Sequence, residues 1–144
     1  MTLIVISGAP GAGKSTIARE LGAALELPVL SLDPIKEALA DVLGLGDEDW
    51  SNRLGDAAAE LVFRLAADFP GAVAEGWWHG ARRDRAVAEI NPAGVGSAAH
   101  LASLAATVTP LRLGGPLIEV DTGRPGAGAA AVAAVGAAIG RSPR

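Results

Sequence analysis

The chain is 144 residues long with a formal net charge of −4 and no cysteine. That length fits a single domain, residues 1–144, large enough to bury a real core. The missing cysteines exclude disulfides and thiolate–metal sites, and the acidic balance argues against a general nucleic-acid surface, which leaves small molecules as the favoured partners.

Half of the residues are hydrophobic but only 3% are aromatic, so the core is built from small aliphatic side chains. The opening run MTLIVISGAP is apolar over too few residues for a signal segment and reads as a buried strand. Residues 2–7, TLIVIS, are β-branched without alternation, the pattern of a strand covered on both faces, and such a strand is normally central in a parallel sheet. After a glycine-rich loop, Ile17, Leu21 and Leu25 recur at helical spacing, predicting a helix over 14 to about 26. LPVLSL (27–32) is a second strand. Asp33-Pro34 then opens a helix through about Leu43, with Pro34 at its first position and Gly44 and Gly46 closing it. The DEDW turn (47–50) is linker-like. Leu54, Ala58, Leu61, Val62 and Leu65 mark one face of a helix over 51–69, stopped by Pro70-Gly71.

GAVAEG (71–76) is a third strand ending in a carboxylate, followed by Trp77, Trp78, His79 and an Arg-rich helix over about 80–90 that Asn91-Pro92 ends. Residues 97–107 read as helical, PLIEVD (116–121) as a last strand, and Val132, Val135 and Ile139 as the closing helix. The Ala-rich segment 127–140 is broken by glycines and shorter than the roughly 20 residues of a membrane span, so the expected location is cytoplasmic. Alternating strands and helices give an α/β three-layer domain with a mostly parallel sheet.

Between the first strand and the first helix stands GAPGAGKST, residues 8–16, which fits G-x-x-x-x-G-K-[ST]. A plain turn needs neither the lysine nor the hydroxyl. Gly8, Ala9, Pro10, Gly11, Ala12 and Gly13 let backbone N–H groups curl around phosphates, and the helix N-terminus adds partial positive charge. Lys14 reaches the β- and γ-phosphates, Ser15 ligates the bridging Mg²⁺, and Thr16 approaches the α-phosphate. Ligands in open α/β sheets sit beyond the carboxyl ends of the strands, which draws attention to Asp33, Glu75 and Asp121. Asp33 fits two compatible roles, proton acceptor for an attacking hydroxyl and helix N-cap. Glu75 suits the water shell of magnesium or a substrate hydroxyl, but also a solvated strand end. Asp121, in VDTGRP, organises a turn that borders the base. Trp77 and Trp78 sit at the lip of the cleft, as stacking surfaces or as core. His79 and His100 lack metal spacing and read as surface or packing residues. Arg82, Arg83 and Arg85 fit a solvated face or an anion site equally.

LIVISGAPGAGKSTIARELG, LSLDPIKEAL, AVAEGWWHGARRD and PLIEVDTGRP together resemble the P-loop kinases of the AAA_33/zeta-toxin-like type, relatives of chloramphenicol phosphotransferase, gluconate kinase and polynucleotide kinase. The resemblance implies the three-layer P-loop NTPase fold and ATP-dependent transfer of the γ-phosphoryl group to a hydroxyl of a small-molecule or nucleoside-type acceptor. Asp33 matches the proton-accepting aspartate and Glu75 the strand-end acid. Lys14, Asp33 and Glu75 form the catalytic set, Arg124 joins the nucleotide-binding loop, and Arg53, Trp78 and Arg82 fall where such kinases hold substrate. Those kinases follow the helix ending near Ile90 with a further strand and an arginine-bearing lid. Here residues 91–96 leave room for a stub of strand at most, and 97–109 contain no Arg or Lys. The expectation is a sheet one strand short, with 117–120 pairing to the first strand or leaving its edge open. A lidless site would bind nucleotide and turn over slowly, or hydrolyse it. Oligomeric state stays open.

Overall fold

The computed structural model describes residues 2–78 and 116–141. The helices expected over 80–90 and 97–107, the 91–96 segment, His79, Arg82, Arg83, Arg85, His100 and Arg112 lie outside the described residues. In chain order the elements are β1 (Thr2–Ile6), α1 (Lys14–Leu25), β2 (Val29–Ser31), α2 (Leu32–Leu43), α3 (Glu48–Ala67), β3 (Gly71–Glu75) and α4 (Ala127–Ile139). The strands form a parallel sheet in the order β1-β3-β2.

The centre of the described sheet is therefore β3, not β1 as the sequence suggested. Every residue of β3 is buried, and its small side chains are what allow helices to close on both faces. Successive residues point to opposite sides. Val73 joins a cluster with Ile17, Leu21 and Leu25 of α1 and Ala131 and Val135 of α4. Ala74 joins another with Leu32, Trp78 and Ala58, Ala59 and Val62 of α3. The same alternation runs along β1, where Ile4 and Ile6 pack toward the first cluster and Leu3 and Val5 toward the second. This double coverage explains the unbroken apolar run of β1 and produces the three layers.

Three sequence expectations are corrected. Residues 116–121 carry no strand pairing; Ile118 and Val120 pack against the first cluster, so this stretch supplies side chains to the core rather than hydrogen bonds to the sheet. Among the described residues β1 pairs on one side only, with β3, which is the open edge that the sequence also allowed. The helix after β2 begins at Leu32, with extended Ser31 as its N-cap, so Pro34 is the third helical residue and Asp33 lies in the first turn. Burial of Leu32, 1% exposed, draws the helix start back to the strand end, and proline is tolerated there because the first-turn N–H groups have no intrahelical partner. Residues 47–50 start α3 instead of linking to it. The Asp47 carboxylate accepts from the Trp50 N–H at 2.9 Å, while Glu48 and Asp49 complement the helix dipole.

Helix α1 packs close to β2 through Gly22. A Cβ there would run into the Val29 side chain and come within 3.0 Å of the Leu27 carbonyl oxygen. Gly22→Ala is expected to destabilise the domain by about 1–3 kcal/mol despite alanine's better helix propensity, read from the urea midpoint at unchanged slope.

Candidate functional site

The parallel register aligns the three strand ends: Ile6 and Ser31 both lie opposite Glu75. With strands about 4.8 Å apart, the segments leaving them start side by side. The phosphate loop leaves β1, α2 with Asp33 leaves β2, and Glu75 closes β3.

The loop is shaped by glycines at the positions that need them. Gly11 (φ 77°) and Gly13 (φ 72°) occupy the left-handed region that side-chain-bearing residues avoid. Ala12 N–H donates to the Ala9 carbonyl at 3.1 Å, and Thr16 and Ile17 N–H groups both return to Gly13. Lys14 opens α1 and folds back across the loop, its Nζ donating to the Ala9 carbonyl at 3.1 Å. Its Cγ and Cδ lie 3.6 and 3.7 Å from where a Gly8 Cβ would stand. Ser15, exposed in the first turn of α1, offers a hydroxyl. Among the described residues no group of three or more His, Cys, Asp or Glu could hold a metal ion. A site of one hydroxyl and a strand-end carboxylate, completed by phosphates and water, is what Mg²⁺ favours, so the donor set fits that ion.

Glu75 is 3% exposed and is the one buried charged residue among those described. It is thus not the solvated strand-end acid that the sequence also allowed. Asp33 is exposed on the first turn of α2. One turn later Lys36 donates from Nζ to the Ser51 hydroxyl of α3 at 2.9 Å. Burial pushes the Lys36 ammonium below its ordinary value, against the opposing pull of Asp33. The sequence reading assigned Lys36 no role; its signal was its place one helical turn from Asp33. Arg53 is exposed on α3 and lies over the Trp50 ring, 5.2 Å from its centroid, while the Trp50 indole N–H donates to the Gly44 carbonyl.

Trp78 does not face the cleft. It is 2% exposed, its ring lies 5.7 Å from that of Phe63, and its indole N–H donates to the Ile6 carbonyl at 3.0 Å. The substrate-stacking expectation therefore gives way to a core role. Trp77, 7% exposed, is buried as well.

Asp121 organises its turn as the sequence suggested, accepting from the Gly123 N–H at 3.1 Å and pairing with Arg124 at 3.0 Å. Thr122 of this turn touches the phosphate loop, with its Cβ 3.4 Å from where a Gly13 Cβ would stand. Between α1 and the start of α4 the two loops enclose a cleft of about 460 Å³, lined by Gly13, Thr16, Glu20, Thr122 and Arg124 among others. A larger cleft of about 700 Å³, on Ile118–Asp121 and α4, includes no phosphate-loop residue. Among the described residues no helix is long and apolar enough to cross a membrane.

A phosphate loop between strand and helix, and an acid at the end of the neighbouring strand, define a P-loop NTPase fold of the kinase type. The AAA_33 family (AAA domain) matches residues 3–104, and the chain belongs to it. Over 45 residues it is 44% identical to the cytidylate kinases of Ignicoccus hospitalis and Pyrobaculum islandicum, 31% of this chain. It spans about a quarter of the length of those relatives, 26% and 24%. A crystal structure from Chloroflexus aurantiacus J-10-fl, described as a "putative kinase", superposes with a TM-score of 0.52 at 32% identity, over 59% of this chain and 50% of the other.

The lowered Lys36 value has a signed consequence. The unfolded chain holds this proton more tightly, so the lysine's contribution to stability rises as pH climbs through the lowered pKa toward 10.5. Unfolding of the wild type against Lys36→Met between pH 8 and 10.5 should show the difference shifting in favour of the wild type at the alkaline end.

Proposed function

We propose that the protein is an ATP-dependent phosphotransferase that moves the γ-phosphoryl group to a hydroxyl of a small-molecule or nucleoside-type acceptor. The observation that supports this reading is the register that brings Ile6, Glu75 and Ser31 to one level, so that the loop of residues 8–16 and the helix carrying Asp33 leave the sheet at the same end. The N–H groups of Gly11, Gly13, Lys14 and Ser15, in the loop and at the start of α1, hold the phosphates of ATP. Lys14 exchanges the Ala9 carbonyl for phosphate oxygens. Ser15, together with the strand-end carboxylate of Glu75, would hold Mg²⁺, which when bound would neutralise phosphate charge. Asp33 accepts the proton of the attacking hydroxyl as its oxygen bonds to phosphorus and the β–γ bridge breaks. Arg124 lies on the base side. The acceptor rests against the α2–α3 wall carrying Arg53, with Arg82 as a further substrate contact. That the matched relatives are named as kinases of a cytidine nucleotide favours an acceptor with a nucleoside part. The protein works in the cytoplasm.

A second reading, a nucleotide-binding protein with little transfer or a slow NTP hydrolase, is favoured by the absence of Arg and Lys from 97–109. An arginine at the transferring phosphoryl group contributes about 10³–10⁵ in rate.

Asp33→Asn should lower phosphoryl transfer by about 10²–10⁴ while nucleotide affinity holds. Lys14→Met should weaken nucleotide binding itself. Calorimetry with Mg·ATP, alongside ATP consumption across hydroxyl acceptors, measures both. Unchanged transfer in Asp33→Asn removes the base assignment, and tight binding with no turnover on any acceptor establishes the second reading.

A further inference from the structure

Besides Arg124, which pairs with Asp121, the cleft beside the phosphate loop carries an ionisable group that phosphate binding does not use. Glu20 lies one helical turn beyond Thr16 on α1, so both face the cleft. The opposite wall is the first turn of α4, where Gly126 (φ 79°) is the N-cap without a side-chain cap. Glu20 leans across to it: an ideal Cβ on Gly128 would fall on the Glu20 carboxylate. Gly128 is thus the vacancy that lets the carboxylate lie against the helix start. No hydrogen bond to a described residue occupies the carboxylate in that position.

We infer that Glu20 reads the base of the bound nucleotide, accepting from the 6-amino group of adenine and so selecting ATP over 6-oxo purine nucleotides. This inference rests on the phosphotransferase reading above. Its chemistry is that of an acceptor-only group. The cleft opens beside Gly13 and Thr16 and is walled by Thr122, Arg124 and the start of α4, with Glu20 among its lining residues, so a base extending from phosphates on residues 8–16 would meet Glu20 there. Adenine presents there an N–H donor next to the ring N1 acceptor. The carboxylate takes the donor, and the Gly128 and Ala129 N–H groups in the first turn of α4, which have no intrahelical partner, are available to N1, the Ala127 N–H being taken by the Arg124 carbonyl. Guanine and hypoxanthine place a carbonyl oxygen at the same position, and two acceptors repel. An amide in place of the carboxylate removes that bias because its NH₂ donates.

The test is calorimetric titration of wild type, Glu20→Gln and Gly128→Ala with the β,γ-imido analogues of ATP and GTP in the presence of Mg²⁺, together with thermal melts. Wild type should favour the adenine analogue by about tenfold or more. Glu20→Gln should narrow that ratio about tenfold. Gly128→Ala should narrow it too, because the methyl displaces the carboxylate without changing its chemistry. An unchanged ratio in Glu20→Gln, a wild type that binds the guanine analogue equally well, or equal weakening for both bases with a lowered melting temperature overturns the inference. Should the variants not fold, the wild type is titrated with purine riboside triphosphate, which lacks the 6-amino group. A loss of about tenfold against ATP supports the inference and equal affinity overturns it. A wild type that binds no nucleotide overturns the phosphotransferase reading itself, whereas binding of ATP with an unaltered ratio removes the base reading alone.

Discussion

The site depends first on β3 being hydrogen-bonded along both edges. Its register with β1 and β2 fixes which residues leave the sheet at the same level, and Glu75 is the shared reference for Ile6 and Ser31. A slip of one residue would turn Val73 and Ala74 to the wrong faces, undoing both core clusters together. Packing and site geometry are therefore one constraint. The small side chains of residues 71–74 satisfy it by letting α1 and α4 approach one face and α3 the other.

The strand ends are pinned by more than the ladder. The Ile6 carbonyl accepts from Gly76 N–H at 3.2 Å and from the Trp78 indole at 3.0 Å. Both bonds sit where β1 becomes the phosphate loop, so the chain after Glu75 braces the chain before Gly8. Burial of the large Trp78 ring thus supports the loop from below. On the other side, Lys36 ties α2 to α3 through Ser51, holding the helix that carries Asp33. The third support is the contact of Thr122 with Gly13.

The phosphate loop and its flanking elements were legible in the sequence because each needs rare residue types at fixed spacing. Gly11 and Gly13 at positive φ, Lys14 opening α1, and the acid ending β3 all appear where the pattern put them. What the sequence misplaced was tertiary. The apolar run of 117–120 has strand composition, yet composition does not distinguish a strand that pairs from a segment that lends Ile118 and Val120 to a helix-lined core. Among the described residues β1 stands at an edge for the same reason, since edge and centre differ in neighbours rather than in residues. Trp78 was ambiguous until its indole partner was known, because a tryptophan at a strand end serves equally as a stacking surface or a core anchor. Lys36 and Glu20 escaped notice because isolated charges on amphipathic helices carry no periodic signal.

The bond from Lys14 to the Ala9 carbonyl has a consequence for which molecules the loop admits. A ligand that takes this lysine away from the loop does not meet a bare ammonium; it has to better a bond to a neutral carbonyl already in place at 3.1 Å. Another neutral oxygen gains almost nothing from the exchange, whereas an anionic oxygen makes a bond roughly twice as strong. The loop thus ranks ligands by charge before it ranks them by shape, favouring anionic oxygens over those of sugars and amides.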